Sequence, residues 1–179
     1  MHALISLSRA IDALNERVGR AVLWLVLATT LISAINAVMR YALGLSSNAW
    51  LELQWYLFAA IFLLAAGYTH KHSGHVRIDV LYGRLSERAQ AWIDLLGGIF
   101  FLLPFSLLLM WFSWPGFVDA WQHGEMSPDS GGLLRWPVRA LIPAGFALLA
   151  LQGISEILKR IVFLSGHGPL VREPKTDHV

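Results

Sequence analysis

Residues 21–39 read AVLWLVLATTLISAINAVM, 19 positions without one charged side chain. At a helical rise of 1.5 Å per residue the stretch is roughly 28 Å long, close to the ~30 Å hydrocarbon core of a bilayer. Three more such runs follow, at residues 53–69, 95–118 and 140–155. The third is long enough to tilt and holds Pro104, which predicts a kink. The fold class is therefore an all-α membrane protein of four transmembrane helices, with crossings at residues 21–41, 51–70, 95–118 and 138–160. They form a single domain over residues 1–165, and residues 166–179, rich in Pro and charge, read as a free tail.

The composition agrees. Of 179 residues 56% are hydrophobic and 15% charged, against about 25% charged in a soluble domain. The first 20 residues read as an amphipathic helix. Leu4, Leu7, Ile11, Leu14 and Val18 share one face, with Arg9, Asp12, Asn15, Glu16 and Arg17 opposite. We expect this helix to lie along the inner membrane surface. The stretch is long and of mixed charge, with no small-residue cleavage site after it, so it does not read as a signal peptide. A second amphipathic segment follows the second crossing, where Val80, Leu81, Leu85, Ala89 and Trp92 share a face.

With four crossings, 11 of the Lys and Arg side chains fall on one side and 3, Arg40, Arg135 and Arg139, on the other. The basic side is the cytoplasmic one, so both termini are expected there, in a bacterial inner membrane. Trp50, Trp111, Trp114, Trp121 and Trp136 would gather at the outer interface, and Trp24 and Trp92 at the inner one.

Ionisable residues inside a span usually mark function, and no span carries one near its middle. Glu52, Asp94, Asp119 and Glu156 sit at span ends. A self-sufficient ion-coupled carrier normally buries a carboxylate at mid-depth. His70, His72 and His75 cluster in an interfacial loop, without the convergent geometry that zinc or haem requires. The chain has no cysteine. There is no phosphate-cradling Gly loop, nucleophile elbow or useful carboxylate pair. No catalytic, cofactor or metal residue is expected, no enzyme activity, and no nucleic-acid partner, since topology explains the basic loops.

A few residues remain as subunit-interface or structural candidates. Arg40 and Glu52 flank the first outer loop; either they pair and pin it, or each snorkels to the headgroups. Asn36, one turn inside Arg40, is placed to hydrogen-bond a neighbouring helix. His75, Arg77 and Asp79 lie at i, i+2 and i+4. A helix starting near Val76 would favour Asp79 in its first turn and leave Arg77 in need of an anionic partner. The alternative is a solvated loop.

The run Asn36-Ala37-Val38-Met39-Arg40-Tyr41, then Ser47-Asn48-Ala49-Trp50-Leu51-Glu52, resembles the small permease subunit (DctQ-type) of tripartite ATP-independent periplasmic (TRAP) transporters. So do Gly74-His75-Val76-Arg77-Ile78-Asp79, Gly131-Gly132-Leu133-Leu134-Arg135-Trp136, Ile142-Pro143-Ala144-Gly145-Phe146 and Leu151-Gln152-Gly153. This last region looks most like the branch labelled for mannitol or chloroaromatic compounds. The resemblance adds Trp50, Arg135 and Trp136 to the candidates. In one departure, Glu52 is followed by Leu53 where many members carry a second acidic residue. The resemblance implies a scaffold for a large permease subunit that carries the substrate and sodium sites, served by a periplasmic substrate-binding protein and set among membrane lipids. The cargo would be an organic acid anion. The rivals are a stand-alone small four-helix carrier and the membrane anchor of a redox complex.

Overall fold

The computed structural model describes residues 2–45, 47–74 and 82–167. Helix α1 (His2–Leu43) is followed by α2 (Asn48–Lys71) and α3 (Glu87–Gly97). A π-helical turn (Gly98–Leu102) joins α3 without a break to α4 (Leu103–Gln122), and α5 (Trp136–Leu164) closes the order. α1, α2, the continuous Glu87–Gln122 helix and α5 are each long and apolar enough to cross a membrane.

Local chemistry sets several ends. α1 stops at Gly44, whose φ of +66° lets the Leu45 N–H return to the Met39 carbonyl at 3.1 Å; a side chain at this position would be strained. α3 starts at Ser86, whose hydroxyl accepts the Ala89 N–H at 3.3 Å, with Glu87 in the favoured first turn. Pro104 cannot supply an N–H to the carbonyl four residues back. The ladder widens just before it, and the Leu103 N–H donates to Gly98, five residues back. The irregularity expected from Pro104 therefore takes the form of a π turn.

α1 lies on α2, α2 on α5, and α5 on α4. α5 touches all the others, because α1 and α3 also rest on it. Glycines set the closest approaches, as is usual where helices meet in lipid. A methyl on Gly145 of α5 would lie 2.7 Å from the Leu63 carbonyl oxygen of α2. One on Gly67 would collide with the Asn15 amide. Ser8–Ser155 and Glu16–Lys71 contacts mark the end where α1 begins and α5 stops, here the terminal end. Asn48–Ser130 and Tyr56–Leu134 contacts mark the other, the loop end.

Two expected faces turn out differently. Residues 2–20 continue the first crossing helix without a break and rest on the protein through Ser8, Ile11, Asn15 and Gly19. Leu7 and Leu14 point away, 51% and 43% exposed. Of the expected apolar face, Ile11 is buried and Leu7 and Leu14 are outward, because lipid accepts Leu freely while Ser and Asn need partners on neighbouring helices. On α3 the buried residues are Gln90, Ala91 and Leu95, while Trp92 and, just before the helix, Leu85 are exposed; Val80 and Leu81 lie outside the described residues. Its continuation into α4 fixes which side meets α5.

Candidate functional site

The loop end is built around a small hairpin. Met126 bridges Leu134 in antiparallel fashion. The Ser127 N–H donates to Leu133 O at 2.9 Å, Arg135 N–H to Glu125 O at 2.8 Å, and Gly132 N–H to Asp129 O at 3.0 Å. Gly131 makes the reversal at φ +74°. α2 clasps this hairpin. Glu52, only 3% exposed, accepts the Leu133 N–H at 2.6 Å and the Ser127 hydroxyl. The Tyr56 hydroxyl donates to Leu134 O at 2.8 Å, and Asn48 Nδ2 to Ser130 O at 2.9 Å. A buried carboxylate is costly unless donors surround it. Here the hairpin backbone and a hydroxyl supply them, so Glu52 and the loop stabilise each other.

Beside the clasp, between α2 and the start of α5, lies a cleft of about 570 Å³. The Arg135 guanidinium sits 5.4 Å from the centroid of the Trp55 ring and reaches Ser127 Oγ at 3.4 Å. Arg139 pairs with Glu125 at 2.7 Å and donates to Gly116 O at 3.2 Å, which ties α5, the hairpin and α4 together. Trp136 meets Trp121 edge to face, centroids 4.5 Å apart.

Asn36 and Trp50 line a smaller groove of about 150 Å³ at the loop end of α1 and α2. Arg40 is exposed and Glu52 is committed to the hairpin, so of the two readings of this loop the Arg40–Glu52 pair does not form. Two nearby donors in the hairpin satisfy Glu52 better than a long, solvated side chain would. His75, Arg77 and Asp79 lie outside the described residues.

The terminal end holds a polar network that the sequence reading left unassembled. Asp12 takes Lys159 at 2.8 Å, Ser155 Oγ at 2.7 Å and Gln152 Nε2 at 2.9 Å. Ser8 and Ser155 hydroxyls meet at 2.8 Å, and Arg160 lies 3.2 Å from Asp94. Glu16 receives Lys71 at 2.8 Å and bonds His72 and Arg20, each at 2.9 Å. Glu16 precedes the uncharged run of α1, and these partners, Lys71 foremost, hold its carboxyl at about 2. The available signal was spacing: Asp12 and Glu16 are four apart on α1, as are Gln152 and Glu156 on α5.

The family of the DctQ component of tripartite ATP-independent periplasmic transporters matches residues 29–163. The chain is also 26% identical over 160 residues to the ectoine TRAP transporter small permease protein TeaB of Halomonas elongata. That match covers 87% of this chain and 82% of the relative. No solved structure matches significantly.

Proposed function

The chain belongs to the DctQ component family of TRAP transporters, a transporter family and no class of enzyme, and from this premise we propose how it works as a small permease subunit in the inner membrane. It acts as a fixed scaffold for a large permease subunit. That partner carries the substrate and sodium sites and takes up an organic acid anion handed over by a periplasmic binding protein. Both termini lie in the cytoplasm and the hairpin faces the periplasm, as the basic-residue asymmetry favours.

One observation carries the scaffold reading. The helices pack around α5, their spans hold no ionisable residue at mid-depth, and apolar side chains line the outward surfaces. On α1, Trp24, Leu31, Ile35 and Val38 are exposed, and on α4 Phe105, Leu108, Trp111 and Phe112. Such surfaces suit lipid and a large apolar partner, and they offer no buried charge to bind an ion. Arg77 and Asp79 are proposed to contact the large subunit, so Arg77→Ala and Asp79→Asn should weaken assembly and leave substrate preference unchanged.

The test is co-purification and reconstitution. The chain should come down with a large multi-span membrane subunit, and liposomes holding the chain alone should take up nothing. Sodium-dependent uptake by those liposomes would overturn the scaffold reading.

A further inference from the structure

The cleft beside the clasp combines a charged mouth with an apolar floor. At the mouth, Arg135 rests on the Trp55 ring. Among the described residues no carboxylate lies within ion-pair distance of Arg135. The two nearby acids are already engaged: Glu125 with Arg139 at 2.7 Å, and Glu52 with the Leu133 N–H and the Ser127 hydroxyl. A guanidinium 5.4 Å from an indole centroid is attracted to the ring, and its N–H donors beyond the one on Ser127 are of the kind that a phosphate accepts. Below the mouth the lining changes to Ala59 and Ile142, which descend between α2 and α5 along their apolar stretches.

We propose that this cleft binds one glycerophospholipid, with its phosphodiester on Arg135 and an acyl chain laid over Ala59 and Ile142. Three features support this occupant over a free anion. The mouth lies at a span end beside Trp55, with Trp121 and Trp136 at the same end of the helices, the depth at which headgroups and aromatic belts meet. The floor continues into the membrane, where an acyl chain is already present at high concentration. Arg135, with no carboxylate among the described residues at ion-pair distance, offers one guanidinium to one phosphodiester. A volume of about 570 Å³ lies within the range of small-ligand sites, roughly 300–1,000 Å³. The site depends on the chain being embedded in a bilayer, and on neither the identity of the large subunit nor the compartment the loop end faces.

The full-length chain, purified in non-ionic detergent and delipidated, is titrated with phosphatidylglycerol and read by native mass spectrometry. One lipid per chain is expected to saturate first. Arg135→Gln should weaken that binding about tenfold, and Arg135→Lys should recover part of it. Ala59→Phe, which fills the floor and leaves the mouth intact, should weaken it similarly. Arg40→Gln, at an exposed arginine on the same end, should leave it unchanged. Inorganic phosphate at millimolar concentration should not displace the lipid. The proposal is overturned if Arg135→Gln binds as the parent does, or if Arg40→Gln loses as much. It is also overturned if Ala59→Phe has no effect, or if inorganic phosphate displaces the lipid and so marks a soluble-anion site.

Discussion

Glu52, one turn into α2, holds the backbone N–H of Leu133 at 2.6 Å across 81 residues of chain. Removing this carboxylate leaves the Leu133 N–H and the Ser127 hydroxyl without their acceptor, at a cost of about 1–3 kcal/mol. Glu52→Ala is expected to lower the melting temperature and open the hairpin to limited proteolysis near Ser130. Ser127→Ala, which removes one of the two donors, should have the smaller effect. A Glu52→Ala hairpin as resistant as the parent would show that Tyr56 and Asn48 hold the loop alone.

Glycine substitutions should separate close packing from helix propensity. Gly145→Ala places a methyl 2.7 Å from the Leu63 carbonyl, so α2 and α5 must move apart. Gly97 has nothing within 4 Å of the same added atom, and there alanine gains the roughly 0.5–1 kcal/mol that glycine forfeits inside a helix. Thermal melts in detergent should therefore fall for Gly145→Ala and hold or rise for Gly97→Ala. Equal melts for the two would remove the α2–α5 contact from the account.

The Glu16 cluster predicts an acid limit. Its carboxyl titrates at about 2 in the folded chain, below its unfolded value of about 4.3. A depressed carboxyl pKa contributes stability that is complete above the unfolded value and is lost as pH falls through the folded one. The tie between α1 and α2 should weaken between about pH 4.5 and pH 2. Glu16→Gln should start less stable at pH 7 and lose less over that window, measured as melting temperature against pH.

Reporter fusions check the orientation. Fusions after Ser47 and Ser130 should report the periplasm, and fusions after Ser73 and at the C-terminus the cytoplasm. A periplasmic signal at Ser73 would contradict the proposed arrangement.

Much of the fold was legible because a bilayer demands long apolar runs, and those runs stand out between the charged loops. Less legible was which side of each helix meets protein. Leu7 and Leu14 repeat with the period of a buried stripe and nevertheless face outward, while Asn15 and Ser8 turn in. In lipid the sign of amphipathicity is set by partners, and a single run of sequence does not display its partners. The candidate site was half legible for a related reason. Glu52 stood out as an acid at a span end, but its partner is a backbone N–H, and a backbone donor leaves no mark in composition. Arg135 and Trp136 were singled out by resemblance, while the Trp55 ring under Arg135 depends on how α2 and α5 come together.

α5 follows the other described helices along the chain, and it is the one that each of them leans on. α1 and α2 can meet as soon as both are inserted, but α3 and α4 have no lasting neighbour until α5 follows them into the bilayer. Maturation is therefore decided late. A chain cut short before Trp136 would keep the hairpin and leave an α1–α2 pair and an α3–α4 helix joined only by the hold of α2 on that hairpin. Such fragments resemble no finished subunit, and they would present membrane quality-control proteases with exposed polar groups that the completed protein keeps covered.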